Sequence, residues 1–269
     1  FWYFGFSESP EQLVLNKDHT LFELRKFFRL AIDANPTAIE MLWAPQSCIR
    51  ECSPLAEKLL AAREKFLSLK VADSFGKYAL SQLRRIKTHR RWLLEPPKAQ
   101  PQREEFNLPG KPVFSGDQIG AAESLIESGK LAHADLPPNF MLILDRERSY
   151  RAAIKEWQQF QTWQKERNPA RAKLEKEFGY DTKHALHLVR LLRMALEILI
   201  SGEVIVRRPD REELLAIKQG TWKFDQLIEY AESMNQKILE ARNGTSLPEF
   251  PDNESLNLLC TEILRGCFA

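Results

Sequence analysis

Apolar residues recur at helical spacing along most of the chain, and an alternating, aromatic-rich pattern is confined to its beginning. Residues 1–24 contain "FWYFGF", "QLVL" and "HTLFEL", which predict short strands around the turn-like "NKD". From Phe22 onward the spacing is that of an amphipathic helix. The pattern therefore predicts an α+β chain that is mostly α-helical, with its strands at the N-terminus.

Capping residues, prolines and glycines set the limits of the predicted helices. These helices cover 22–34, 36–43, 54–68, 72–94, 117–128, 148–167, 170–178, 182–200, 211–219, 223–242 and 253–266. Asp181 and Asp252 are the expected N-caps of two of them, and Asp210 with Glu213 resembles a capping box. The segment "EVIVRR" at 203–208 is expected to be a short strand, and the proline- and glycine-rich residues 96–147 predict a loop-rich insertion.

The helix predicted at 182–200 carries more positive charge than a helix that only fills a core requires. Lys183, His187 and Arg190 fall with Glu197 within an arc of roughly 80° at 100° per residue. Most of the remaining circumference is apolar, so this narrow strip faces either a groove or partner carboxylates. Two interpretations are equally supported by the sequence: structural salt bridges to nearby glutamates, or a cleft wall that holds phosphates.

Two further basic clusters point to the same kind of ligand. The segment "RRIKTHRR" places six basic or potentially basic residues in eight positions, among them Arg84, Lys87, His89 and Arg91. The adjacent Trp92 suits base stacking as well as core packing. A third cluster, "RNPAR", sets Arg167 and Arg171 around a helix break, where free amides also bind anions. Three such clusters predict a polyanionic ligand such as a nucleotide or RNA, although an exposed basic helix remains an equal alternative for the second.

Composition limits the partners. The 269 residues carry 39 Lys and Arg against 37 Asp and Glu, so the net charge is only +2, and nucleic-acid contacts must come from local clusters. No apolar run approaches the roughly 20 residues needed to cross a bilayer, which excludes a membrane partner. The four cysteines lack zinc-like spacing, so we expect reduced thiols and a cytoplasmic protein. The glycine-rich, nucleophile-elbow and zinc-protease motifs are missing from the sequence.

Three long stretches together resemble one family. "KDHTLFELRKFFRLAIDANPTAIEMLWAP", "SQLRRIKTHRRWLLEPP" and the segment from "RNPARAKLEKEFGYDTKHALHLVRLLR" to "IKQG" at residue 220 are similar to predicted nucleotidyltransferases of the DNA-polymerase-beta superfamily associated with RNA repair. The resemblance covers about residues 12 to 250 except 98–148. It implies that residues 1–50 are the last part of the α/β nucleotidyltransferase core and that 51–269 form a helical domain.

The resemblance also implies a reaction and a metal site. Members of the superfamily hold two Mg²⁺ ions with an Asp-x-Asp pair and a third carboxylate, and the ions orient a nucleoside triphosphate and activate a hydroxyl. This chain lacks the Gly-Ser turn and the Asp-x-Asp pair, which we expect upstream of Phe1. Asp18 is the candidate for the third carboxylate. Lys183, His187 and Arg190 match the family's "YDTKHALHLVRLLR" stretch.

Three functions follow as alternatives. The first is an Mg²⁺-dependent nucleotidyltransferase acting on RNA, such as tRNA, or on another hydroxyl acceptor, with this chain alone inactive. The second is a non-catalytic nucleotide- or RNA-binding module on the same fold. The third is a subunit whose basic clusters meet an acidic protein, and a homo-oligomer is also left open.

Overall fold

The computed structural model describes residues 11–16, 19–112, 114–129 and 138–267. Within these ranges the chain is mostly helical, with one small sheet near the N-terminus, which confirms the predicted α+β, mostly α-helical class. The first strand, β1 (Gln12–Val14), pairs antiparallel with β2 (Thr20–Phe22), and Leu13 lies opposite Leu21. The predicted strand residues 1–10 lie outside the described residues.

Eleven α-helices are described. They are α1 (Leu24–Ile32), α2 (Pro36–Leu42), α3 (Pro54–Ala61), α4 (Lys70–Leu94), α5 (Gly116–Glu127), α6 (Pro138–Glu166), α7 (Pro169–Phe178), α8 (Thr182–Ser201), α9 (Arg211–Lys218), α10 (Phe224–Gly244) and α11 (Asn253–Gly266). Short 3-10 helices cover Gln46–Cys48, Arg63–Phe66 and Arg103–Phe106.

The chain divides into two compact units. The first consists of Phe1–Arg90 together with Lys173–Ala269, and the second of Arg91–Ala172. In the first unit α8 lies in the core and packs against α9 and α10, while α1 packs against α2 and α11. The second unit contains α5, α6 and the 3-10 helix Arg103–Phe106. The predicted insertion at 96–147 lies within this second unit, and the predicted domain limits at 50 and 51 stay a prediction.

Apolar side chains explain why α8 is central. Leu188, Val189, Met194 and Ile198 are almost completely buried, as expected for a helix that is apolar around most of its circumference. The preceding Tyr180 is fully buried, and its hydroxyl donates a hydrogen bond of 2.6 Å to the carbonyl of Trp222. In the described ranges, none of the helices is long and apolar enough to span a bilayer.

Three local predictions were wrong. Residues 203–206 have irregular backbone instead of the predicted strand. The sheet in the described part of the chain consists of β1 and β2 alone, so these residues pair with no other strand. Helix α6 begins at Pro138 rather than 148, since proline is tolerated in the first turn of a helix and does not have to end a loop. The helix predicted at 54–68 ends at Ala61 and continues only as the 3-10 helix Arg63–Phe66.

Candidate functional site

Helix α8 presents its polar residues from a fixed start. Asp181 is the N-cap, and its Oδ1 accepts hydrogen bonds of 3.1 Å from the amides of Lys183 and His184. The helix ends at Gly202, which has a φ of +70°. Both ends match the sequence prediction, so the register of the basic strip along α8 is well defined. Lys183 is exposed, and His187 and Arg190 are half-buried.

Arg190 lines a groove in the first unit. One side of the groove is formed by Pro45 and Cys48, and the other by α8, α9 and the residues between them. The groove has a volume of about 390 Å³. Its lining combines apolar side chains with four arginines: Pro45, Cys48, Leu186, Arg190, Val206, Arg207, Arg208, Arg211, Leu214 and Leu215. A lining that combines apolar side chains with several guanidinium groups suits a ligand that has both a flat apolar part and a phosphate.

Two of the four arginines are held by carboxylates. Arg190 donates a hydrogen bond of 2.7 Å to Glu40, and both side chains are mostly buried. Arg208 forms a bidentate pair with Glu197 and also bonds Asp210 at 2.8 Å. Burial acts to lower the pKa of Arg208, but these hydrogen bonds outweigh it and raise that pKa. These two guanidinium groups are therefore held in position by carboxylates.

The other two arginines are exposed. Arg207 donates a hydrogen bond of 3.3 Å to the hydroxyl of Ser47, and Arg211 opens α9. Neither forms an ion pair within the described part of the chain. Exposed guanidinium groups beside fixed ones can turn toward an incoming phosphate without first breaking a buried pair.

A second arginine of α8, Arg193, lies on the flank of the strip and has a structural role. Arg193 donates hydrogen bonds to Glu213, Asp210 and the hydroxyl of Tyr230. The hydrogen bond to Glu213 is the largest effect, and together these contacts raise the pKa of Arg193 despite its burial. The interpretation of structural salt bridges thus holds for Arg190, which pairs with Glu40, and for Arg193 on the flank of the strip. Their partners are not Glu175, Glu177 or Glu197, the glutamates that lie near the strip in the sequence.

The other predicted binding residues are distributed over both units. In the first unit, Arg84 and Lys87 are exposed on α4, and His89 lies near the start of α8. In the second unit, Arg91 forms an ion pair with Glu156. There the Arg167 guanidinium lies 4.4 Å from the centre of the Trp163 ring, and Arg171 is half-buried. That all of these residues share one ligand surface stays a prediction.

The candidate catalytic residue is not described. Asp18, the predicted third metal carboxylate, lies outside the described residues, so its role stays a prediction.

Within the described residues one group of three side chains can supply metal ligands: His89, Asp181 and His184. The Asp181 side chain is only 2% exposed, and its Oδ2 lies 3.5 Å from His184 Nε2 and 3.8 Å from His89 Nδ1.

Sequence reasoning found Arg190 but missed Arg207 and Arg211. The signal was present in "VRRPDR", which places three arginines within five positions, 207–211. The predicted strand at 203–208 includes the first two of these arginines, and a strand would send Arg207 and Arg208 to opposite faces. The irregular backbone instead brings both to the groove.

Comparison with known proteins finds a family match in the N-terminal part of the chain. Residues 2–95 match the RNA repair pathway DNA polymerase beta family, which confirms the predicted resemblance over that range, while the resemblance of 167–220 stays a prediction. The matched range includes Glu40, Pro45 and Cys48 of the groove region, and α8 lies beyond its end. No curated protein and no solved structure matches the chain.

Proposed function

We propose that the chain, whose residues 2–95 match the RNA repair pathway DNA polymerase beta family, transfers a nucleotide from a nucleoside triphosphate to RNA. The acceptor is a hydroxyl group of RNA, with tRNA as one candidate, or of another molecule. A cytoplasmic location is part of the same proposal.

The proposal includes Mg²⁺, with Asp18 as one of its carboxylate ligands. Two Mg²⁺ ions need several carboxylate oxygens. The His89, Asp181 and His184 group offers two nitrogens and one carboxylate, so it does not fit this pair. The described residues would instead position the substrate, while the ions would supply charge neutralisation at the triphosphate.

The arginine-lined groove is the observation that carries the proposal. It is bounded on one side by Pro45 and Cys48, which belong to the family-matched range, and on the other by α8 and α9. In our proposal Arg207 and Arg211 bind the phosphates, and Arg190 and Arg208 add fixed positive charge. The apolar lining takes the base or ribose.

Exposed basic residues on α4 and α8 extend the proposal to a polynucleotide. Arg84 and Lys87 project from α4, and Lys183 from the first turn of α8. Lysine and arginine at exposed positions bind backbone phosphates without reading sequence. RNA affinity is therefore expected to fall steeply with salt concentration, and by more than nucleotide affinity does.

The first test is nucleotide binding to the purified chain, measured by fluorescence polarisation with labelled, nonhydrolysable ATP, GTP, CTP and UTP. Replacing both Arg207 and Arg211 by alanine removes two proposed charge-assisted hydrogen bonds to the phosphates. Each lost bond is expected to weaken nucleotide binding by about tenfold or more. The matched control is Lys218→Ala with Lys237→Ala, which removes two exposed charges outside the groove lining. Equal losses in the two double variants would remove the groove from the proposal.

The second test is transfer. With Mg²⁺, labelled nucleoside triphosphate and RNA, the full-length protein that includes any upstream segment is expected to incorporate label, and incorporation is expected to stop after Asp18→Asn. Binding without incorporation would instead support the non-catalytic module. Absence of both nucleotide and RNA binding would favour an acidic protein partner. Light scattering of the same sample tests whether the chain forms a homo-oligomer.

A further inference from the structure

The fold brings two histidines and one aspartate together at the start of α8. His89 comes from α4, Asp181 is the N-cap of α8, and His184 lies in the first turn of that helix. All three belong to the first compact unit. We propose that His89, Asp181 and His184 form a binding site for a transition-metal ion of the Zn²⁺ class, separate from the Mg²⁺ site of the proposed reaction.

The two oxygens of Asp181 have different surroundings. Oδ1 accepts the capping hydrogen bonds from the amides of Lys183 and His184. Oδ2 lies on the side of both imidazole rings. Capping fixes the carboxylate, so one oxygen holds the helix while the other is oriented toward the histidines. A monodentate carboxylate held in this way is a common metal ligand.

The distances fit donors that share an ion. Two atoms that each lie about 2.1 Å from Zn²⁺ are separated by roughly 3.4 Å at a tetrahedral angle. Asp181 Oδ2 is 3.5 Å from His184 Nε2 and 3.8 Å from His89 Nδ1, longer than a direct hydrogen bond. One donor atom from each of the three residues lies within 4.8 Å of the other two.

Neighbouring contacts hold the two contributing segments together. Arg90 follows His89 and donates a hydrogen bond of 2.9 Å to the carbonyl of Gly179, two residues before Asp181. Its guanidinium also lies 4.5 Å from the centre of the Phe224 ring. The histidine side chains are only 16% and 14% exposed, so the donors are prearranged and partly shielded from water.

The donor types select the ion. Two imidazoles and one carboxylate suit Zn²⁺ and its neighbours Co²⁺, Ni²⁺ and Fe²⁺, whereas Mg²⁺ and Ca²⁺ prefer oxygen ligands. Three protein ligands leave at least one position for water or for an oxygen of a bound ligand, as in sites that are not purely structural. The ion would also tie α4 to the start of α8. This inference does not depend on nucleotidyl transfer.

The test uses the untagged chain, stripped with a chelator. Titration with Co²⁺ is expected to give the visible absorption of a four-coordinate site, and Zn²⁺ is expected to displace it at one equivalent. His184→Gln and His89→Gln are each expected to weaken Zn²⁺ binding at least about 100-fold. A residue that only supports a metal ligand usually contributes less than this, so a loss of that size indicates direct coordination. Excess Mg²⁺ is expected not to compete.

Two further variants make the result specific. Asp181→Asn keeps an oxygen for the helix cap but removes the anionic ligand, so it is expected to fold and to bind Zn²⁺ weakly. His187→Gln, one turn later on α8 and outside the group, is expected to bind like the parent. Circular dichroism checks that each variant is folded. Absence of stoichiometric binding, or binding that survives both histidine variants, would overturn the site and assign any bound ion elsewhere, for example to a cysteine.

Discussion

At the scale of single residues, the arginines of α8 show how the same residue type takes different roles. Arg193 is fixed by Asp210 and Glu213, whereas Arg190 is fixed by Glu40, which is 150 positions away in the sequence. Helical periodicity placed Arg190 on the strip and Arg193 on its flank, because that relation is local. Their partners are distant in the sequence, so the pattern could not decide between structural salt bridges and a ligand groove.

Asp210 leads to a prediction about stability in acid. Burial acts to raise the pKa of Asp210, but hydrogen bonds from Arg208 and Arg193 outweigh it and lower that pKa to about 2. The folded state thus binds this proton less readily than the unfolded state. Asp210 therefore stabilises the fold above pH 4, by about 2 kcal/mol, and this contribution is lost as the pH falls towards 2.

Asp210→Asn is expected to be less stable than the parent near neutral pH, with the difference shrinking between pH 4 and 2. Urea unfolding followed by circular dichroism at several pH values measures this. Glu212→Gln, which removes an exposed carboxylate from the first turn of the adjacent helix α9, is the control and is expected to change the curve little. A constant difference between parent and Asp210→Asn at every pH would contradict the prediction.

At the scale of elements, most helix ends followed from local chemistry. Asp181 and Asp252 cap α8 and α11 as predicted, because a cap needs only a side-chain oxygen and the next few amides. Asp210 does not cap α9, since its carboxylate is engaged by Arg193 and Arg208. Tertiary contacts overrode the capping-box pattern there, as they overrode the strand predicted just before it.

Two helix-terminating glycines form a matched pair for a test. Gly202 and Gly220 have φ values of +70° and +85°, a conformation that costs an L side chain roughly 1–2 kcal/mol. A methyl group at Gly202 would meet nothing within 4 Å, whereas one at Gly220 would lie 2.4 Å from the Phe178 ring. Gly220→Ala must therefore also displace a packed aromatic ring.

Gly202→Ala is expected to lower the free energy of unfolding by about 1 kcal/mol, the cost of the backbone conformation alone. Gly220→Ala is expected to cost about 2–4 kcal/mol, because overpacking adds to that cost. Chemical denaturation of both variants measures the difference. Equal losses would mean that Phe178 moves aside freely.

At the scale of the whole molecule, the chain is assembled in a way that periodicity does not reveal. Residues 1–90 and 173–269 form one compact unit, and 91–172 form another. The prolines and glycines after residue 95 predicted an interruption in the helical chain, because they are local signals. Which helices share a core depends on contacts between distant segments, so the grouping of α1 with α11 could not be predicted from spacing.

The second unit contains a buried ion pair of its own. Arg103 and Glu147 form a bidentate pair with side chains 11% and 4% exposed. Arg103 also donates a hydrogen bond of 2.7 Å to the carbonyl of Pro109 and lies 5.2 Å from the centre of the Tyr150 ring. Within this unit the pair joins α6 to the 3-10 helix Arg103–Phe106. Removing one partner would leave a buried, uncompensated charge.

Glu147→Leu is therefore expected to destabilise the second unit by about 3–5 kcal/mol. Hydrogen exchange measured by mass spectrometry should show the largest increase in peptides covering 103–108 and 140–155. The double variant Arg103→Met with Glu147→Leu removes both charges together, so it is expected to recover most of the lost protection. If the double variant exchanges as fast as Glu147→Leu, the geometry of the pair itself holds the two segments together, rather than the need to neutralise a buried guanidinium.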